Sequence, residues 1–196
     1  MAEVKYKLLK DYVPPIYRQQ SVSLEFFLDP KKTVLKSKIH FSHNDDKPTD
    51  LILQGENIQL SYLKIDGKQI VLDHLTFMKH KLVIPKKFLG PRDFQVEMEN
   101  ILNPSTNKTL EGLYLSEGIL VTQCEPEGFR KICYSLDRPD VLSTYTVRIH
   151  GSYAHMLSNG NPITISNNYS EWRDPFPKPS YLFALVAGDL MFDEET

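Results

Sequence analysis

A glutamine and a glutamate two residues apart, Gln123 and Glu125, are the side chains of this 196-residue chain best suited to recognition chemistry. On a strand over residues 118–125, successive side chains point to opposite faces. Ile119, Val121, Gln123 and Glu125 then share one face, and Leu120, Thr122 and Cys124 the other. That alternation sends Cys124 toward a core and sets Gln123 and Glu125 side by side, roughly 6–7 Å apart. A carboxylate beside an amide suits an ammonium group, because one offers a charge-assisted bond and the other a neutral acceptor. The plainer reading is two polar residues facing water on an edge strand, and composition alone favours it. Beyond the pair the chain turns at Glu125-Pro126 and Glu127-Gly128, then runs into a bend rich in Arg and Asp, from Arg130 to Asp137 and Asp140.

Other chemistry is sparse. The six histidines are scattered and no H-E-x-x-H is present. His40-x-x-His43 beside Asp45 and Asp46 has loosely metal-like spacing, but a closed ligand set is missing, so a strand end running into a solvated loop is the better account. Nucleophile-elbow, phosphate-loop and dinucleotide signatures are absent. Cys124 and Cys133 lack a neighbouring histidine to activate them and read as buried thiols. The net charge of −2 gives no basic face for nucleic acid. The first residues carry no apolar signal-peptide core, and the longest apolar run, residues 181–187, is far short of the ~20 a membrane helix requires. A cytoplasmic protein with no membrane contact is the expectation.

The elements that must position the pair all read as strands. Residues 1–16, with Pro14-Pro15, form an extended N-terminal arm. From Tyr17 the period is two: Val22, Leu24, Phe26 and Leu28 face one way, and Leu35, Ile39 and Phe41 repeat the pattern across a turn at residues 29–32. Asp66-Gly67 is the strongest hairpin signal. Phe94, Val96 and Met98 alternate with polar residues, and a strand covers residues 144–150. Ser158-Asn159-Gly160-Asn161 reads as a hairpin turn, and residues 181–188, apolar on both faces, as a central strand. Three prolines in residues 174–179 argue for a rigid extended connection there. Asp137 followed by Pro139 signals one helical turn over residues 139–143. Many short strands with Gly, Pro and Asn punctuation specify an all-β fold with at most one or two helical turns: an antiparallel β-sandwich spanning residues 17–196. The chain stops straight after a buried strand, as though a longer protein continued.

Several segments in order resemble the N-terminal domain of the bacterial aminopeptidase N group of zinc-dependent gluzincins. They are Leu-Glu-Gly-Leu-Tyr at 110–114, Thr-Gln-Cys-Glu-Pro-Glu-Gly-Phe-Arg at 122–130, Leu-Asp-Arg-Pro-Asp-Val at 136–141, Leu-Ser-Asn-Gly-Asn at 157–161, and Asp-Pro-Phe-Pro-Lys-Pro-Ser-Tyr-Leu-Phe-Ala-Leu-Val-Ala-Gly-Asp at 174–189. The resemblance implies a saddle-shaped β-sandwich lying against a thermolysin-like catalytic domain. By the same resemblance Gln123 and Glu125 line a substrate pocket, where the Glu holds the free α-amine of a peptide with help from a G-A-M-E-N glutamate of the catalytic domain. It also implies a cis bond at Glu125-Pro126. Arg130 and Asp137 are expected to brace the bend that aims Glu125, rather than to act as catalytic charges. Trp172, Phe176, Tyr181 and Phe183 are expected to pack in the core or a domain interface. The G-A-M-E-N motif, the zinc histidines and the catalytic glutamate are not in this sequence. Zinc is therefore expected on the missing catalytic domain of a parent metallo-aminopeptidase, with this chain binding substrate and not cleaving it. A free-standing β-sandwich that binds protein or carbohydrate, or a regulatory relative without a catalytic half, are the alternatives.

Overall fold

A computed structural model describes residues 8–44, 49–191 and 193. The longest strands form where period-two patterning is strictest. β1 (Tyr17–Phe27), β2 (Thr33–His43) and β8 (Asp93–Leu102) bury Val22, Leu24, Phe26, Leu35, Ile39, Phe41, Phe94, Val96 and Met98 on one face. β1 and β2 close as a hairpin over Asp29, whose Oδ1 accepts the backbone N–H groups of Lys31 and Lys32. The remaining strands are β3 (Leu51–Gln54), β4 (Gln59–Ile65), β5 (Lys68–Ile70), β6 (Thr76–Met78), β7 (Lys81–Ile84), β9 (Gly112–Ser116), β10 (Ile119–Gln123), β11 (Ser143–His150), β12 (His155–Ser158), β13 (Asn161–Ser166), β14 (Tyr169–Lys178) and β15 (Leu185–Gly188).

Three sheets result. The large one has the order β13-β14-β11-β1-β2-β8-β4-β5, and the smaller ones are β12-β15-β10-β9 and β3-β7-β6. Among the described residues every pair is antiparallel except β1 with β11, which runs parallel: between them the chain lays down β2, β4, β5 and β8 of the large sheet, all of β3-β7-β6, and β9 and β10. Side chains from all three sheets enter one core. The outer face of the large sheet carries charges that alternate across strands: Glu171 opposite Arg148, Arg148 opposite Glu25, Glu25 opposite Lys36 and Lys36 opposite Glu99. Charges paired in this way suit a solvated face.

The all-β reading holds, and so does the Asp66-Gly67 hairpin, where both turn residues take positive φ (49° and 77°). Five details differ. Among the described residues the helical content is six single 3-10 turns, one of them at Leu9–Asp11 inside the arm expected to be extended; residues 1–7 of that arm lie outside the described residues. No helical turn forms over residues 139–143, because the Asp137 carboxylate is engaged elsewhere and cannot cap it. Residues 158–161 turn the chain but make no hairpin, since β12 pairs with β15 while β13 joins β14 in the large sheet. The proline stretch is strand after all. Pro175 and Pro177 lie in β14 beyond Arg173, the last residue that β13 pairs, so that side of the strand has no partner for a missing N–H. The strand expected over residues 181–188 starts only at Leu185, after a 3-10 turn at Ser180–Leu182, but it is central as expected.

Candidate functional site

β10 lies between β9 and β15 and ends at Gln123, two residues short of the extent read from alternation. Leu120 and Cys124 turn into the core as expected, and Thr122 ties β10 to β15: its Oγ1 accepts the Leu185 N–H at 2.8 Å and donates to the Leu185 carbonyl at 3.3 Å. Glu125 follows in the turn, not in the strand. The Glu125-Pro126 bond is cis, and the Gln123 side-chain amide donates to the Glu125 carbonyl at 3.2 Å. Gln123 and Glu125 are therefore adjacent, both exposed, and linked through the backbone of one.

The turn closes tightly. The Gly128 N–H donates to the Cys124 carbonyl at 2.8 Å. A Cβ on Gly128 would stand 2.3 Å from the Gln123 carbonyl oxygen and 2.8 Å from the Cys124 Cα, so only glycine fits there. Phe129 is fully buried, edge-on to Phe183 with ring centroids 5.3 Å apart. Arg130 comes next, half-buried, and faces two carboxylates. Its Nη1 reaches the exposed Glu127 at 3.0 Å, and its Nε donates to Asp137 Oδ2 at 2.9 Å. The Arg130 backbone N–H also donates to Asp137 Oδ2 at 3.2 Å, and Nη2 donates to the Asp137 carbonyl at 3.1 Å. Asp137 is buried, and the Ser180 hydroxyl supplies the donor to its other oxygen. The Asp137 N–H donates to Gln54 Oε1 at 3.0 Å, and the preceding N–H of Leu136 donates to the buried Gln19 Oε1 at 3.0 Å.

The electrostatics of the loop single out one group. Glu127 is paired with Arg130 and Asp137 is saturated with donors, whereas among the described residues no cation pairs with the Glu125 carboxylate. Both thiols are buried, which pushes Cys124 well above the usual thiol range and Cys133 up to about 12. Neither offers a thiolate near neutral pH.

The structure therefore brings together Gln123, Glu125, Pro126, Arg130 and Asp137, and it adds Gly128, Gln54, Gln19 and Ser180. Gly128 carried a turn signal in the sequence. Ser180, 43 positions from Asp137, carried none. Of the four aromatics, Trp172 and Phe183 are buried, Tyr181 is half-buried and Phe176 is exposed. Neither Gln123 nor Glu125 lines the cavity of about 340 Å³ beside Tyr17 and Val141 or the cavity of about 260 Å³ beside Asn107 and Lys131. The pair stands on the surface, where a second surface would have to complete an enclosed site.

His43 ends β2 with its Nε2 3.1 Å from the Gly90 carbonyl oxygen and its ring 4.7 Å from that of Tyr17. Asp45 and Asp46 lie outside the described residues. Among the described residues no group of three His, Cys, Asp or Glu side chains is gathered where it could hold a metal ion. No helix there is long and apolar enough to cross a membrane.

Known proteins place this geometry in context. The family model described as the peptidase M1 N-terminal domain matches residues 13–182. Aminopeptidase N of Caulobacter vibrioides is 43% identical over 189 residues, which cover 93% of this chain and 22% of that protein. The crystal structure of Legionella pneumophila aminopeptidase A in complex with aspartic acid superposes with a TM-score of 0.84 at 34% identity, over 94% of this chain and 23% of that one. An M1 zinc metallopeptidase from Deinococcus radiodurans shares the fold, with a TM-score of 0.73 at 16% identity over 88% of this chain and 42% of its own. The chain thus spans about a fifth of the length of the curated relative it matches.

Proposed function

The chain belongs to the family of peptidase M1 N-terminal domains, and from that premise we propose that its Gln123–Glu125 turn anchors the free α-ammonium of a peptide during removal of the N-terminal residue. The observation that carries this reading is the Glu125 carboxylate, exposed and without a cation partner among the described residues, in a loop whose other acids, Glu127 and Asp137, are both paired with Arg130. An aminopeptidase must recognise an ammonium. A carboxylate at a fixed distance from the scissile bond both holds that charge and counts one residue from the end. Gln123 contributes a neutral acceptor from the amide oxygen left free when its nitrogen binds the Glu125 carbonyl.

The reaction itself is assigned to a zinc-dependent catalytic domain that packs against this one, as the C. vibrioides relative and the D. radiodurans zinc metallopeptidase suggest. The described residues of this chain do not fit a zinc site, so no step is placed on a metal here. The sandwich of residues 17–196, preceded by the arm 1–16, acts as a positioning domain. Arg130 and Asp137 brace the bend, and Pro126 completes it. The purified chain is expected to release no product from an aminoacyl reporter, with or without added zinc.

The test is Glu125→Gln in an aminopeptidase carrying this domain. Losing a charge-assisted contact of ~1.5–3 kcal/mol lowers kcat/KM for free-amine substrates roughly ten- to a hundredfold. Unchanged kinetics would remove the reading.

A further inference from the structure

The Asp137 carboxylate has its two oxygens served from opposite directions. Oδ2 takes both Arg130 donors from the loop, and Oδ1 takes the Ser180 hydroxyl from the 3-10 turn Ser180–Leu182. A buried carboxylate keeps its charge and its place only when both oxygens are bonded. The same 3-10 turn makes a second contact with the loop: the Phe183 N–H donates to the Ser180 carbonyl at 3.0 Å, which sets the Phe183 ring on that of Phe129. Phe129 is the residue just before Arg130. Two residues past Phe183 the chain enters β15 at Leu185, and β15 pairs with β10, the strand that presents Gln123.

The contacts form a closed circuit: from β10 through the Glu125 turn to Phe129 and Arg130, across Asp137 to Ser180 and Phe183, and back through β15 to β10. A carboxylate on a surface turn aims well only if the turn is held at both ends. One end is the β10 ladder, and the other is this clamp.

We infer that Ser180 is a positioning residue for Glu125, acting through Asp137 and Arg130, and that the Ser180–Leu182 turn sets how firmly the domain grips a substrate ammonium. The inference rests on the reading of Glu125 as the ammonium ligand. Ser180 is buried, touches no substrate and supplies no charge. Its part is to complete the bonding of Asp137, so that Arg130, which also reaches Glu127 through Nη1, stays anchored on Asp137 through its Nε and Nη2.

The experiment is a double-mutant cycle between Ser180→Ala and Glu125→Gln in a full-length aminopeptidase carrying this domain, with KM and kcat measured on an aminoacyl reporter. Ser180→Ala is expected to raise KM about tenfold while kcat stays within about twofold, because misplacing a binding group costs affinity before chemistry. In the Glu125→Gln background the same substitution should change KM little, since the group it positions has gone. Ser180→Cys, which keeps a weak donor of similar shape, should recover part of the loss and carries the same cycle if Ser180→Ala does not fold. Additive effects in the cycle, or a Ser180→Ala enzyme with unaltered KM, would overturn the inference while leaving the role of Glu125 intact. A Glu125→Gln enzyme with wild-type kinetics would instead remove the reading on which it rests.

Discussion

Placing a methyl group on Gly128 tests the loop geometry without touching any functional side chain. Gly128 has φ −82° and ψ −19°, a backbone conformation open to any residue, so Gly128→Ala carries no conformational penalty. What it carries is contact. The added Cβ would lie 2.3 Å from the Gln123 carbonyl oxygen, 2.8 Å from the Cys124 Cα and 3.1 Å from the Gly112 nitrogen, all backbone atoms that no rotamer change can move aside. Against an ordinary contact of about 3.5 Å, roughly 1 Å of room is missing at the closest point. Overpacking of this kind costs ~1–3 kcal/mol, and the rigidity of the three neighbours places this case near 3. For a domain of this size that is a fall in Tm of about 6–12 °C. Gly118→Ala is the matched control. Gly118 sits at φ 84° in the β9–β10 turn with nothing within 4 Å of a Cβ, so its cost is conformational only, ~1 kcal/mol or about 2–4 °C. Thermal scans and urea titrations of the wild type and both variants measure the difference. A Gly128→Ala protein that melts no lower than Gly118→Ala would refute the close approach on which the turn depends.

Two further outcomes follow from burial and charge. In the folded protein neither Cys124 nor Cys133 should react with a thiol reagent near pH 8, because burial raises both, Cys133 to about 12. Full labelling is expected only after denaturation, and stoichiometric labelling of the native chain would contradict their place in the core. Asp140 is held below its usual 3.8, chiefly by the hydrogen bond from Arg138, which outweighs the opposing effect of burial, with a lesser contribution from the Tyr12 hydroxyl. Its contribution to stability is present above about pH 4 and is lost as pH falls through the lowered folded value. Arg138 also holds the Val13 carbonyl at 3.0 Å, so the neighbouring Tyr12 amide, bonded to the Leu9 carbonyl, should lose protection against hydrogen exchange in acid. Asp140→Asn should flatten that acid response, and an unchanged acid limb would count against the tie.

The strands with strict alternation were legible because burial on one face dictates side-chain type at every second position. β1, β2 and β8 came out with the faces read from Val22, Leu35 and Phe94. Cys124 was placed correctly by the same rule. What the rule cannot see is where a strand ends when its neighbours end: β10 stops at Gln123, and residues 174–178 stay in β14 because the pairing limit of β13 leaves their prolines harmless. The turn at residues 158–161 was recognised as a turn, but local residues do not encode that its two strands leave for different sheets. Asp137 shows the conflict most directly. It carries a helix-start signal before Pro139, yet a buried bond to Arg130 outweighs a cap on a helix of one turn. The Arg130–Asp137 link was expected. Its completion by Ser180 was not, because contacts across 43 residues leave no periodic trace.

Glu125 is the group proposed to meet a substrate ammonium, and two isosteric substitutions two residues apart test that role most directly. Glu125→Gln and Glu127→Gln remove the same charge from the same loop. Glu127 is itself exposed and is spent on a pair with the half-buried Arg130, a contact worth about 1 kcal/mol at a solvated rim, so its loss should leave kcat/KM within about fivefold of wild type. Glu125→Gln should lower kcat/KM for free-amine substrates roughly ten- to a hundredfold. Equal effects at the two positions, or none at Glu125, would contradict the account.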